Sequence, residues 1–140
     1  MNARQYLKQA YRLNERIKDK EERIADLKEA AISVSAIDYS KDKIQNTTQG
    51  DALYVNQIAQ IIELEKKLND DLQKLKRLKV EISQAIDAVD DVNCSLVLSK
   101  RYILMKSWEQ IAEEMTYSVS QILRIHEKAL IIFKVPKNMT

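Results

Sequence analysis

The stretch EEMTYSVSQ, residues 113–121, decides the fold because it joins two segments whose apolar residues recur at helical spacing. IAEEM leads into it, and ILRIHEKAL follows it. A tight turn between two short helices is typical of a helix-turn-helix. Such a turn often carries Gly, which adopts left-handed backbone angles at little cost. Thr116 stands at that position here, so we expect a turn strained by about 1 kcal/mol, which a packed domain tolerates.

Polar residues that begin helices lie on both sides of this turn. Ser107 precedes the first helix and Gln110 is its third helical residue, which predicts a capping box. Ser118 is the predicted N-cap of the second helix. The predicted inner faces comprise Trp108, Ile111, Ala112 and Met115 on the first helix and Ile122, Ile125, Ala129 and Leu130 on the second. Together with a short helix in SLVLSKRYILMK, they predict a three-helix helix-turn-helix unit over residues 92–134, followed by a tail at 135–140.

Two long segments upstream carry the alternating four- and three-residue spacing of a coiled coil. In the first segment the seam positions are Tyr6, Ala10, Leu13, Ile17, Lys20, Ile24, Leu27 and Ala31. In residues 51–89 they are Tyr54, Ile58, Ile61, Glu65, Leu68, Leu72, Leu75, Lys79, Ile82, Ile86 and Val89. Residues 33–50 between them are rich in Ser, Thr, Asn and Asp and contain the only glycine, which predicts a connector, with Asp51 capping the second helix. The predicted fold is all-α: a long antiparallel helical hairpin (coiled coil) over residues 1–91, then the C-terminal helix-turn-helix unit.

The charged seam residues suggest a register for the hairpin. If Ala31 lies level with Tyr54, Lys20 lies level with Glu65, and this semi-buried pair would specify the alignment. The alternative is that both side chains extend to water.

A second apolar set on helix two (Val55, Ile62, Leu64 and Leu78) predicts contact with the C-terminal unit or with a second copy in a homodimer.

Composition excludes several functional classes. The 140 residues include one Gly and one Pro, which favours long helices, and a net charge of +2 does not by itself indicate nucleic acid. Cys94 is the only cysteine and lies among apolar residues, so we expect it to be buried. No catalytic constellation, metal site or cofactor motif is present, and no apolar run is long enough to span a membrane. We therefore expect a cytoplasmic protein without enzymatic activity.

The predicted DNA-contacting residues lie mainly on the second helix of the turn. A helix in this position projects its outer face into the major groove. Gln121 and Arg124 could read adenine and guanine, Val119 could contact a thymine methyl, and serines of the first turn could bind phosphates. Basic side chains of this helix and the preceding one could contact the DNA backbone. The full candidate set is Ser118, Val119, Ser120, Gln121, Arg124, Lys128, Lys106 and Arg101, with His126 expected at the surface or edge.

The C-terminal unit resembles a known class of regulators. The sequence segments that carry the resemblance are RY at Arg101–Tyr102, SWEQIAEEM from Ser107, YS at Tyr117–Ser118 and RIHEKAL from Arg124. They resemble the helix-turn-helix of bacterial sigma factor region 4 and, more closely, small phage and prophage transcription regulators of the ArpU/RinA-like kind. YLKQAYRLNERI and LEKKLNDDLQKLKRLKVEISQAI extend this similarity over nearly the whole chain. Relatives often have Gly at the positions of Met105 and Thr116, and often Arg where this chain has Ser120.

The resemblance implies a regulator that binds double-stranded DNA in a bacterial host cell, and it makes activation together with RNA polymerase an expectation. Two other interpretations remain open. The chain could be an adaptor that docks a partner such as RNA polymerase through its hairpin without binding DNA. It could instead be a recognition subunit for DNA packaging, although such proteins usually place the DNA-reading unit first.

Overall fold

The computed structural model describes residues 1–40 and 43–137, with side-chain placement for residues 1–32 and 52–137. This part of the chain is helical, with connecting turns and no β-strand, which confirms the predicted all-α class. A π-helical segment, Ser99–Ile103, directly follows α3. The α-helices are α1 (Ala3–Ser40), α2 (Lys43–Asp87), α3 (Val92–Leu98), α4 (Trp108–Met115) and α5 (Val119–Ile132).

The first two helices continue through most of the segment that the sequence predicts as a connector. α1 extends to Ser40 and α2 begins at Lys43, so residues 33–40 and 43–50 of the predicted connector are helical. Asp51 accordingly lies inside α2 rather than at its N-cap. Ser, Thr and Asn only weakly disfavour a helix, and one interior Gly costs about 1 kcal/mol, so neither stops a long helix.

By its internal contacts the chain divides into two compact units. One unit comprises residues 1–14 and 74–140, and the other comprises residues 15–73. The first 14 residues therefore belong to the same unit as α3, α4 and α5. The sequence instead suggests a division near residue 91.

The 15–73 unit has an apolar core between α1 and α2. Ile24 and Ala31 pack with Ile61 and Leu64, and Leu27, Ile58 and Leu68 cover this cluster. Beside it, Asp71 is buried, and its carboxylate accepts two hydrogen bonds from Arg16, at 3.1 Å from Nε and 2.7 Å from Nη2. Lys20 also donates to Asp71. The hydrogen bonds from Arg16, together with Lys20, lower the pKa of Asp71 to about 2 despite its burial.

These contacts correct the predicted register. Lys20 pairs with Asp71, and Glu65 pairs with Lys28 at 3.3 Å on the surface, so the expected Lys20–Glu65 pair is wrong. The error arises because a seam residue can follow Ile61 after either three or four positions. Three positions lead to Leu64, and four lead to Glu65. The packed series is Ile61, Leu64, Leu68, Asp71 and Leu75, whereas Glu65 and Leu72 are exposed. Leu64, assigned to a second apolar face, is thus a seam residue, while Val55 and Ile62 are exposed.

The other unit is centred on residues from α3, α4 and α5. Val97, Ile111, Ala112 and Ile122 form a buried cluster. Trp108, Met115, Val119 and Ile125 pack against it. Cys94 is buried, as predicted. In the α1 part of this unit Tyr6, Leu7 and Ala10 are fully buried, and the Tyr6 ring stacks on Phe133 at 5.9 Å between centroids.

The residues after α5 continue along the end of α2. Val135 and Pro136 are half-buried and line a groove with Ala85 and Val89. The predicted tail thus begins with packed residues, and its last three positions, 138–140, lie outside the described residues.

Candidate nucleic-acid interface

The turn between α4 and α5 is held by backbone and side-chain hydrogen bonds at both helix ends. Thr116 ends α4 at φ 58° and ψ 39°, which is the left-handed conformation predicted for this position. The Tyr117 amide donates to the Ala112 carbonyl at 3.0 Å and thereby satisfies one of the last carbonyls of α4. A three-residue connection, 116–118, therefore joins the two helices in one defined geometry.

Both helices begin with a capping box. Gln110 N donates to Ser107 Oγ at 3.2 Å, and Ser107 N donates to Gln110 Oε1 at 3.0 Å, as the sequence predicts. Gln121 N donates to Ser118 Oγ at 3.1 Å, and Ser118 N donates to Gln121 Oε1 at 2.8 Å. The second box adds Gln121 to the predicted Ser118 cap. Its signal, Gln three residues after Ser, is present in the sequence.

Two of the candidate base-reading residues, Gln121 and Val119, already make contacts within the unit. A bidentate contact to adenine uses both the oxygen and the nitrogen of an amide, and Oε1 of Gln121 already accepts from Ser118 N. Val119, expected on the outer face, is half-buried and packs against the α3–α5 cluster. Gln121 and Val119 therefore hold the beginning of α5 in place.

Ser120 and Arg124 lie on the outer face of α5. They are separated by one helical turn and both are exposed. Within residues 1–32 and 52–137, Arg124 takes part in no salt bridge. Among the predicted contact residues, Ser120 and Arg124 have exposed side chains that, within the described residues, take part in neither a helix cap nor an ion pair.

Lys106 and Lys128 form salt bridges within their unit. Lys106 Nζ lies 2.8 Å from Glu114 Oε2, and Lys100 Nζ lies 2.6 Å from Glu114 Oε1. Hydrogen bonds from these two lysines, Lys100 foremost, lower the pKa of Glu114. Lys128 Nζ lies 3.0 Å from Asp91, whose side chain also accepts from Cys94 N as the N-cap of α3. Phosphate binding by these lysines would have to compete with a carboxylate.

Arg101 is enclosed by aromatic rings. Its guanidinium carbon lies 4.6 Å from the centroid of Tyr11 and 4.4 Å from that of Trp108, and Nη1 donates to the Lys106 carbonyl at 3.0 Å. Arg–aromatic contacts of this kind stabilise a fold by cation–π attraction. Arg101 is a candidate phosphate contact by sequence, and in the structure it links the start of α1 to the segment before α4.

His126 corrects the expectation of a surface residue. It is 3% exposed, and its Nε2 lies 2.7 Å from the Tyr102 hydroxyl oxygen, while its ring meets Trp108 edge to face. Burial, assisted by nearby Arg4 and Arg101, lowers the pKa of His126 to about 4 in spite of Glu127. The imidazole is therefore neutral at physiological pH and serves as a polar core residue.

The first 14 residues contribute to this region, which the sequence does not predict. Arg4 Nη2 lies 2.7 Å from Glu127 Oε1, so the beginning of α1 reaches the outer side of α5. No local signal in the sequence predicts this pair, since its members are separated by 123 positions. The apolar spacing of Tyr6 and Ala10 predicts burial but could not identify α5 as the neighbour.

The described residues contain no cluster of three or more His, Cys, Asp or Glu side chains arranged to hold a metal ion. None of the helices described is both long enough and apolar enough to cross a membrane.

Comparison with known proteins brings no assignment. No protein family model matches the chain, and neither a curated protein nor a solved structure matches it.

Proposed function

We propose that the protein is a sequence-specific DNA-binding transcription regulator of phage or mobile-element genes. In this proposal α4 and α5 form a sigma region 4-like helix-turn-helix, with α5 in the major groove, and α1 and α2 form an antiparallel hairpin. The hairpin would set the geometry of a homodimer or contact RNA polymerase during activation. The resemblance of the sequence to ArpU/RinA-like regulators supplies this setting.

The observation that carries the proposal is the α4–α5 connection. A left-handed residue and two capping boxes hold two short helices at a three-residue turn, with Ser120 and Arg124 exposed on the second helix. A helix presented in this way fits the major groove, where an Arg side chain can contact guanine through two hydrogen bonds. We therefore assign base reading chiefly to Arg124. Ser118, Ser120 and the first turn of α5 remain the proposed phosphate contacts.

Selection from random duplex DNA tests the proposal, because it does not require the operator to be known. The protein should enrich a defined motif, and its affinity for that motif should fall steeply with salt. Arg124→Ala should lower motif affinity by about 1–3 kcal/mol and relax the preference at one base position. Arg77→Ala is the matched control, because Arg77 is also exposed and belongs to the same unit but lies on α2.

A second candidate is an adaptor that docks a protein partner without binding DNA. It is favoured by the internal contacts of Arg101, Lys106 and Lys128, which reduce the positive charge left for phosphates. Exposed Val55 and Ile62 on α2 offer apolar contact area for a partner. Absence of DNA binding even at low salt would reject the regulator and favour the adaptor.

A further inference from the structure

The beginning of α1 carries a row of basic side chains beside its buried face. Tyr6, Leu7 and Ala10 are fully buried, whereas Lys8 and Arg12 are exposed and Arg4 is half exposed at its side chain. Arg4, Lys8 and Arg12 follow one another at steps of four, which places them along one side of the helix. At 1.5 Å per residue the row is about 12 Å long. We call these three residues the α1 basic row.

Two contacts locate this row relative to α5 and to the segment before α4. Arg4 reaches Glu127, and Glu127 follows Arg124 by three positions, so the two are neighbours on the surface of α5. Tyr11, between Lys8 and Arg12, covers the Arg101 guanidinium. The row therefore starts at the outer face of α5 that carries Arg124 and continues along α1.

Charge supports a polyanion as the ligand of this surface. Arg4 offsets the charge of Glu127, which would otherwise repel a phosphate next to Arg124. Within the described residues Lys8 and Arg12 form no salt bridge, in contrast to Lys100, Lys106 and Lys128. Their side chains can bind phosphates without first leaving a carboxylate.

We propose that the α1 basic row binds the phosphate backbone of duplex DNA next to the groove that α5 occupies, with Lys8 and Arg12 as the contacting residues and Arg4 screening Glu127. This inference rests on the proposed function and extends its DNA-contacting surface to the first turns of the chain. Phosphate contacts orient a protein on the duplex and carry no base preference. Lys8 and Arg12 therefore contribute affinity for any sequence, while Arg124 contributes the preference for one.

The test is a salt series of DNA binding with the full-length Lys8→Ala/Arg12→Ala variant. Both side chains are exposed, so the thermal unfolding midpoint should not change. We expect the slope of log Kobs against log salt to become shallower by about 2, one for each lost phosphate contact. Affinity should fall by the same factor for the selected motif and for unrelated duplex DNA.

Lys74→Ala/Lys76→Ala is the matched control, since it removes the same charge from exposed positions of α2 in the same unit. Its salt slope should stay closer to that of the unsubstituted protein. An equal loss in both double variants would mean a general charge effect and would overturn the proposal. If Arg124→Ala loses motif preference while Lys8→Ala/Arg12→Ala keeps the original slope, the α1 row fails and the regulator stands. If the unsubstituted protein binds no DNA at low salt, both fail.

Discussion

Thr116 and Met105 have left-handed backbone angles, with φ values of 58° and 57°. A side chain at such angles brings Cβ close to the following carbonyl, which costs about 1 kcal/mol or more. The Thr116 hydroxyl donates to the Met115 carbonyl at 2.6 Å, a local hydrogen bond that partly offsets this cost. Both positions therefore adopt left-handed angles without glycine.

Substitution at Thr116 tests the strain directly. Thr116→Gly should be more stable than Thr116→Ala by about 1 kcal/mol, because Gly tolerates the left-handed angle and Ala does not. Within a regular helix the order is the reverse. Urea unfolding of the two variants measures the difference, and an advantage for Ala would show that the position is not held in the left-handed conformation.

His126 links stability to pH. Its pKa in the folded protein is about 4, below the ordinary value near 6.5, so the unfolded chain binds the proton more readily between these values. The contribution of the neutral, buried His126 to the free energy of unfolding is therefore complete above pH 6.5 and is lost as the pH falls towards 4. We expect the free energy of unfolding to decrease by about 2 kcal/mol between pH 7 and pH 5. His126→Gln removes the titrating group, so the same measurement on this variant should show a much weaker pH dependence; equal slopes would contradict the assignment.

At the scale of elements, the two long helices share one charged position in an otherwise apolar seam. Asp71 is 3% exposed and accepts hydrogen bonds from two α1 side chains, Arg16 and Lys20. A buried carboxylate requires such partners, because desolvation without them is costly. An alignment shifted by one heptad would place Leu13 or Leu27 at the position of Lys20, so Asp71 would lose the lysine that is largely buried beside it. A single acidic residue therefore favours one register of α1 against α2.

Neighbouring aspartates provide a matched test of this register. Asp71→Asn should destabilise the protein by about 3 kcal/mol, since Lys20 is left in a largely buried position without its counter-charge. Asp70→Asn, at an exposed position, should change the free energy of unfolding by less than about 0.5 kcal/mol. Glu65→Gln should cost no more than about 1 kcal/mol, because its pair with Lys28 is on the surface. A larger effect at Glu65 than at Asp71 would restore the register that the sequence suggests.

At the scale of the whole molecule, the first 14 residues are part of the unit that contains α3, α4 and α5. Tyr6 stacks on Phe133, Arg4 pairs with Glu127 and Tyr11 covers Arg101. A stacked aromatic pair, an ion pair and a cation–π contact thus connect the start of α1 to residues between 101 and 133. The proposed DNA-reading surface therefore depends on residues more than 100 positions away in sequence.

Trp108 fluorescence can measure how far this unit depends on the start of α1, because Trp108 is the only tryptophan and lies in α4. Tyr6→Ala should lower the stability reported by Trp108 fluorescence by about 3 kcal/mol, since it removes a fully buried ring from the same unit. Tyr54→Ala, at a 41% exposed position in the other unit, should leave the Trp108 transition nearly unchanged. An unaltered transition in Tyr6→Ala would mean that α3, α4 and α5 fold independently of the start of α1.

Local signals in the sequence determined the all-helical class, the Ser107 and Ser118 caps, the inner faces of α4 and α5 and the left-handed turn at Thr116. Each of these depends on residues within about one helical turn of one another, and the physical causes, apolar spacing and end capping, act over that distance. The sequence predicts a connector over 33–50, whereas residues 33–40 and 43–50 are helical, because weak helix formers do not outweigh the continuation of a long helix.

Only the tertiary structure decided which residues of α2 form the seam against α1. After Ile61, Leu68 and Leu75, the next seam residue along α2 could follow at either three or four positions. The tertiary structure also decided that His126 is buried against Tyr102 and that Lys106 and Lys128 face carboxylates rather than an open surface. The tertiary structure likewise decided that Arg4 lies beside Glu127. These features depend on which side chains meet across the fold, and burial and ion pairing between distant residues leave no periodic signal in a single sequence.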